Sequence, residues 1–109
     1  MATTYKVLGQ VAPGATTNTT LYTVPSSTSA VISTIIISNR TLVQDAFSIA
    51  VRPAGATLAN IHYIAYQIPI GISDSLSLTF GITMATTDVM TVWSANGGLT
   101  FNLYGSELT

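Results

Sequence analysis

The chain has 109 residues, 48% of them hydrophobic and only 6% charged, with a formal charge of −1, one histidine and no cysteine. That length suits one domain with a substantial core. Ordinary soluble domains are about 25% charged; so neutral a balance excludes a basic stripe for nucleic acid and a polybasic membrane anchor, and the lack of cysteine excludes any disulfide or thiolate chemistry.

The period-2 alternation of apolar and polar residues predicts about eight β-strands, and no segment carries a helical period. The first strand is expected over Tyr5–Gln10, after a short arm at about residues 1–5 and before a turn at "APGATTN". The second covers Thr20–Val24 and stops at Pro25. The third, Ala30–Asn39, is the most apolar and reads as a central strand. In the fourth, Ala46–Arg52, Phe47, Ile49 and Val51 are expected inside, with Ser48, Ala50 and Arg52 outside. The fifth, Asn60–Ile68, sets Ile61 and Tyr63 against His62, Ile64 and Tyr66. The sixth, about Ser75–Met84, places Leu76, Leu78, Phe80 and Ile82 on one face and Ser75, Ser77, Thr79 and Gly81 on the other. Val89–Ser94 is the seventh. The turn "ANGG" leads into the eighth, Leu99–Leu108, with Gly97 and Gly98 supplying positive φ. The expected fold is all-β: a single-domain antiparallel β-sandwich, jelly-roll-like or, as the alternative, immunoglobulin-like.

Catalytic and metal chemistry find little support. His62 is the one histidine, and no nucleophile elbow accompanies it. One histidine and four scattered acids show no ligand spacing, so neither a metal nor another cofactor is expected. Asp74 and Asp88 read as turn residues whose carboxylates accept nearby N–H groups. The glycine-containing turns lack the lysine and helix of a phosphate loop. Asn18-Thr19-Thr20 and Asn39-Arg40-Thr41 fit the glycosylation pattern by chance in a Thr-rich chain. Trp93 reads as a core or near-core residue. Tyr5, Tyr22, Tyr63, Tyr66 and Tyr104 fit either a sugar platform or an interface, and the scarcity of carboxylates favours the interface.

A folded chain of this mass exposes about 5,800 Å². Its seven charges then stand roughly one per 800 Å², the area a standard interface takes from each partner. Lysine is the usual guard of exposed strand edges, and Lys6 is the only one. Strands with hydroxyl-rich, ion-free outer faces are therefore expected to lie against other protein subunits. The contact residues expected from sequence are Ala2, Thr3, Thr4 and Tyr5 of the arm, with Arg40, Arg52, His62 and Tyr66.

Two long stretches, "YKVLGQVAPGATTNTTLYTVPSSTSAVISTIIISNR" and "YQIPIGISDSLSLTFGITMATTDVMTVWSANGGLTFNLYGSEL", carry a resemblance through "LYTVP", "ISNR", "IPI…D", "TTDVMTVW" and "FNLYGSEL". The chain resembles small virion proteins of tailed bacteriophages, cyanophages among them. The resemblance implies a non-enzymatic capsid decoration (cement) protein that oligomerises, often as a trimer. Such a protein binds the major capsid protein on the outer face of the icosahedral shell. It implies assembly in a bacterial cytoplasm, with no nucleic-acid or membrane partner. A tail or fibre component, such as a receptor- or glycan-binding module, is the alternative the resemblance leaves open.

Overall fold

The computed structural model describes residues 2–79 and 81–109. Nine strands form two antiparallel sheets: β1 (Thr3–Val11), β2 (Thr19–Thr23), β3 (Ser29–Asn39), β4 (Asp45–Arg52), β5 (Tyr63–Ile70), β6 (Ser75–Leu78), β7 (Ile82–Met84), β8 (Val89–Ser94) and β9 (Leu99–Leu108). One sheet runs β1-β9-β3-β6, with β7 also paired to β3; the other runs β2-β8-β4-β5. First pairs with last, second with second-to-last, third with the β6/β7 pair, and fourth with fifth. This nesting is what a long hairpin produces when it rolls up into two sheets, and it decides for the jelly roll over the immunoglobulin-like order.

The strand count differs from the sequence reading because the sixth element is interrupted. β6 and β7 pair successive parts of β3, Leu78 opposite Ile35 and Ile82 opposite Ile32. Leu76, Leu78 and Ile82 pack on the core as the alternation predicts, while Ser75, Ser77, Thr79 and Gly81 are exposed. Phe80 lies outside the described residues.

The core is the space between the sheets, filled by Ile32, Ile35 and Ile37 of β3, Phe101 and Leu103 of β9, and Phe47, Ile49, Met90 and Val92 from the other sheet. Phe47 and Phe101 meet edge to face across the sandwich, with ring centroids 6.3 Å apart. Two glycines permit the close approaches this needs. A Cβ on Gly9 would stand 2.2 Å from the Leu21 carbonyl oxygen, and one on Gly105 equally close to that of Val31. No other residue fits either place.

Lys6 is the only lysine available to guard the open strand edges, and irregularity of the edge strands blunts them as well. β1 has a bulge at Leu8, β2 one at Leu21, and β5 two register shifts. Pro69 lies within the edge strand β5, and the fourth edge is divided between two short strands. Bulges, an edge proline and short strands blunt an edge without spending any charge on it.

The expected N-terminal arm is corrected. Thr3, Thr4 and Tyr5 pair with Leu108, Glu107 and Ser106 of β9. Beyond them, Ala2 and Thr109 exchange reciprocal N–H···O bonds of 2.9 Å. The segment lacks alternation, yet edge strands need only one partner, and β9 supplies it.

Candidate functional site

Each end of the sandwich is closed around a buried carboxylate. At one end Asp45, 3% exposed, accepts from the N–H groups of Ala46 (2.7 Å), Asn96 (2.9 Å) and Gly98 (3.0 Å) and from the Ser94 hydroxyl (2.9 Å). Burial pushes its pKa up, but these four donors together outweigh burial and hold the carboxyl below its ordinary value. Beside it the buried Asn39 carboxamide donates to the Val43 and Gly71 carbonyls and accepts from the Thr41 N–H and hydroxyl. Three loops, β3–β4, β5–β6 and β8–β9, are thereby tied to one another. On their outside stand the exposed side chains of Leu42, Val43 and Ile72.

At the other end Glu107 points inward from β9. It accepts from the Tyr22 hydroxyl at 2.5 Å and pairs with Lys6 at 2.9 Å. The Tyr22 bond leads, with Lys6, in lowering the Glu107 pKa. Burial, then the bond to Glu107, raises that of Tyr22 well above the ordinary phenol value. Lys6 is thus an inward-pointing charge on an edge strand, a second device against edge pairing.

With Asp45 and Glu107 buried, five charged side chains share an accessible surface of 5524 Å², and none of them lies on the outer face of the β1-β9-β3-β6 sheet. Reading the pairings across that face gives rows of Tyr5, Ser106, Val31 and Thr83; of Val7, Tyr104 and Thr34; and of Gln10, Asn102, Ile36 and Ser77. Above and below them stand Thr3, Leu108, Ser29, Thr100, Ser38 and Ser75, also uncharged. Tyr5 (84% exposed), Val7 and Val31 make the middle partly apolar. Four strands about 4.8 Å apart and up to 11 residues long give a plane of roughly 700 Å², close to one side of a standard interface at about 800 Å².

The opposite sheet's outer face is different. Ser48 and Ala50, expected outside, do point outward but are buried, because β5 and Trp93 cover them. Two register shifts in β5 cause this: Ala50 faces Tyr63, Ile49 faces Ala65 and Phe47 faces Ile68. Gln67 takes φ of +49°, the one positive value at a non-glycine within any described strand, and its N–H donates to the Ser48 hydroxyl at 2.9 Å. Residues 63 and 66 would occupy opposite faces of a regular strand. Here their rings meet edge to face, centroids 4.9 Å apart. Two adjoining clefts result: one of about 310 Å³ lined by Asn60, Tyr63 and Tyr66, and one of about 150 Å³ lined by Asn18, Ser48, Tyr63, Tyr66, Gln67 and Trp93.

The contact residues expected from sequence do not form one site. Thr3, Thr4 and Tyr5 lie along β1 with Ala2 just before it, and Tyr5 is on the uncharged face. Arg40 sits in the β3–β4 loop, bonded to the Gly97 carbonyl at 3.3 Å. Arg52 ends β4 at the opposite end, a seven-residue rise of about 23 Å from Asp45. It donates to Thr91 (3.0 Å) and to the Gly55 and Ala56 carbonyls, so it anchors its own loop. His62 belongs to a 3-10 turn, Asn60–His62, and not to a strand; its Nδ1 accepts the Ala59 N–H at 3.0 Å. Tyr66 lies in the cleft. Of the five tyrosines, Tyr22 is core, Tyr5 and Tyr104 share one face, and Tyr63 and Tyr66 the other. Asp74 and Asp88 cap turns as expected, accepting from Ser75 and from Ala85 and Ala54. Among the described residues no His, Cys, Asp and Glu group has metal-binding geometry.

No family model matches the sequence, and no curated protein matches it. Among solved structures, the chain is similar to a chain in the structure of infectious bursal disease virus, Gx strain. The TM-score is 0.55 at 9% identity, over 97% of this chain and 31% of that one. The chain therefore spans about a third of its neighbour's length and shares the fold of that part.

Proposed function

We propose that the chain is a non-enzymatic virion structural protein: a capsid decoration protein of a tailed bacteriophage that binds the outside of the icosahedral shell as a homo-oligomer. The observation that carries this reading is the outer face of the β1-β9-β3-β6 sheet. It is interface-sized and free of charge, with Tyr5, Val7, Val31 and Tyr104 set among hydroxyls and carboxamides. Ser and Thr cost less to desolvate than Lys or Glu and can donate or accept across a contact. The edges are blunted by bulges, so contact through the face, rather than by strand addition, suits this molecule. Similarity to a chain of a virus structure supports the reading at the level of fold, and the sequence resemblance supplies the phage and the decoration role.

In this reading one part of the face joins copies of the chain, a trimer by the resemblance, and the rest meets the major capsid protein. Each copy then adds its binding free energy to the shell by mass action, and linkage through the oligomer adds avidity. The test is co-sedimentation of the purified protein with expanded shells that lack it, with light scattering to fix its mass. Saturable binding of an oligomer supports the proposal; a monomer that leaves shells of its own virus unbound refutes it.

A further inference from the structure

We infer that the outer face of the β2-β8-β4-β5 sheet carries a binding site for a neutral saccharide, centred on Tyr63 and Tyr66. This goes beyond the decoration role and rests on a different face. Three observations carry it. First, the site is built: two register shifts and the left-handed Gln67 bring Tyr63 and Tyr66 to the same side, and the Gln67 N–H bond to Ser48 fixes them there. A strained backbone held by its surroundings is a mark of function. Second, the clefts have room for a ligand. Tyr63 and Tyr66 line both, and the larger, about 310 Å³, reaches the lower end of the range for small-molecule sites.

Third, the lining selects the ligand's chemistry. Aromatic rings offer apolar faces to sugar C–H groups, while the carboxamides of Asn18, Asn60 and Gln67 offer paired donors and acceptors to hydroxyls. Not one charged side chain lines either cleft, so nothing there would neutralise a phosphate, a carboxylate or an ammonium group. An uncharged molecule with alternating apolar and hydroxyl surfaces is a neutral sugar. So open a site binds each unit weakly, and several copies in an oligomer would add avidity.

Trp93, the single tryptophan, lines the smaller cleft and makes the test direct. The intact protein is titrated with maltotriose, lactose and mannobiose, and with sialyllactose as an anionic comparator. Trp93 fluorescence and saturation-transfer NMR are the readouts. At least one neutral sugar is expected to shift the fluorescence with millimolar affinity, and sialyllactose to bind no tighter than lactose. Tyr66→Ala, an exposed position, is expected to weaken binding about tenfold or more, and Tyr5→Ala on the other sheet to leave it unchanged. No response to any neutral sugar would overturn the inference, as would equal affinity in Tyr66→Ala or a preference for the anionic sugar. Dissociation of the oligomer by Tyr66→Ala would show a protein chain to be the occupant and would also overturn it.

Discussion

The two outward faces of this sandwich differ in regularity before they differ in chemistry. On the β1-β9-β3-β6 sheet, β9 alternates without a break from Leu99 to Leu108. Its outward residues form rows with those of β1 and β3 across a single bulge in each, at Leu8 and at Ser33, and the rows make one broad plane. On the other sheet β5 slips register twice and turns Tyr63, Tyr66 and Gln67 into the walls of clefts. A plane is suited to a large, flat partner and a cleft to a small one. The same uncharged composition thus yields two kinds of surface, and the backbone decides which.

That contrast is sharpest in a paired substitution. Thr34→Lys puts a cation in the middle of the plane, between Tyr104 and Ile36, and is expected to weaken assembly by about 2–5 kcal/mol, the cost of an unpaired charge in an interface. The free subunit's stability in urea unfolding should barely change, by about 0.5 kcal/mol at most. Ile64→Lys on β5, already 40% exposed, is expected to leave assembly intact. Equal effects of the two, measured by light scattering, would erase the distinction between the faces.

Next in size is Asp45→Asn. It removes the charge from a carboxylate that collects four donors and turns an NH₂ toward some of them, for a loss of about 2–3 kcal/mol in denaturant unfolding. The pH dependence follows the same groups. Asp45 and Glu107 both titrate below their ordinary values of 3.8 and 4.5. Their stabilisation is therefore fully present above those values and fades as pH falls through the lower folded values. Tyr22 has the opposite sign: its contribution holds below its ordinary 10.0 and fades as pH rises beyond it. Thermal midpoints should form a plateau between these limits, with the acid limb flattened in Asp45→Asn.

Gln67→Gly tests the cleft backbone. Glycine removes the strain of a left-handed non-glycine residue and is expected to raise stability by about 1 kcal/mol, while loosening Tyr66 and weakening whatever the cleft binds. Smallest is Lys6→Met. Its partner Glu107 keeps the Tyr22 bond, and the lysine is nearly half exposed, so the loss should be under about 1 kcal/mol. A loss several times larger would make Lys6 the main support of Glu107.

How legible the fold was in the sequence follows the same division. Where period 2 is unbroken, as in β9 and in Leu76, Leu78 and Ile82, side-chain faces could be read directly. β5 defeated that reading because an inserted residue moves every later side chain to the other face; Ile64, Tyr66 and Gln67 lie beyond what alternation can express. Ser48 and Ala50 were read correctly as outward, but covering them depends on those same bulges and on Trp93, which faces outward rather than into the core. Asp45 gave no local signal at all: its donors at 94, 96 and 98 are about fifty residues away. Gly97 and Gly98 were both assigned to positive φ, yet only Gly97 has it, at +76°; Gly98 is glycine for space, since a Cβ would stand 2.7 Å from Thr41. Of the candidate interface, the hydroxyl-rich character was visible in the sequence. Its freedom from charge was visible too, but which sheet carries it was not, because that required knowing that Lys6 and Glu107 turn inward.

The most direct test of the uncharged plane is a side-chain-resolution reconstruction of the particle that carries this protein. The account predicts Tyr5, Val7, Thr34 and Tyr104 against atoms of another protein chain. A particle in which those residues face solvent, with the subunit held by some other surface, would contradict it.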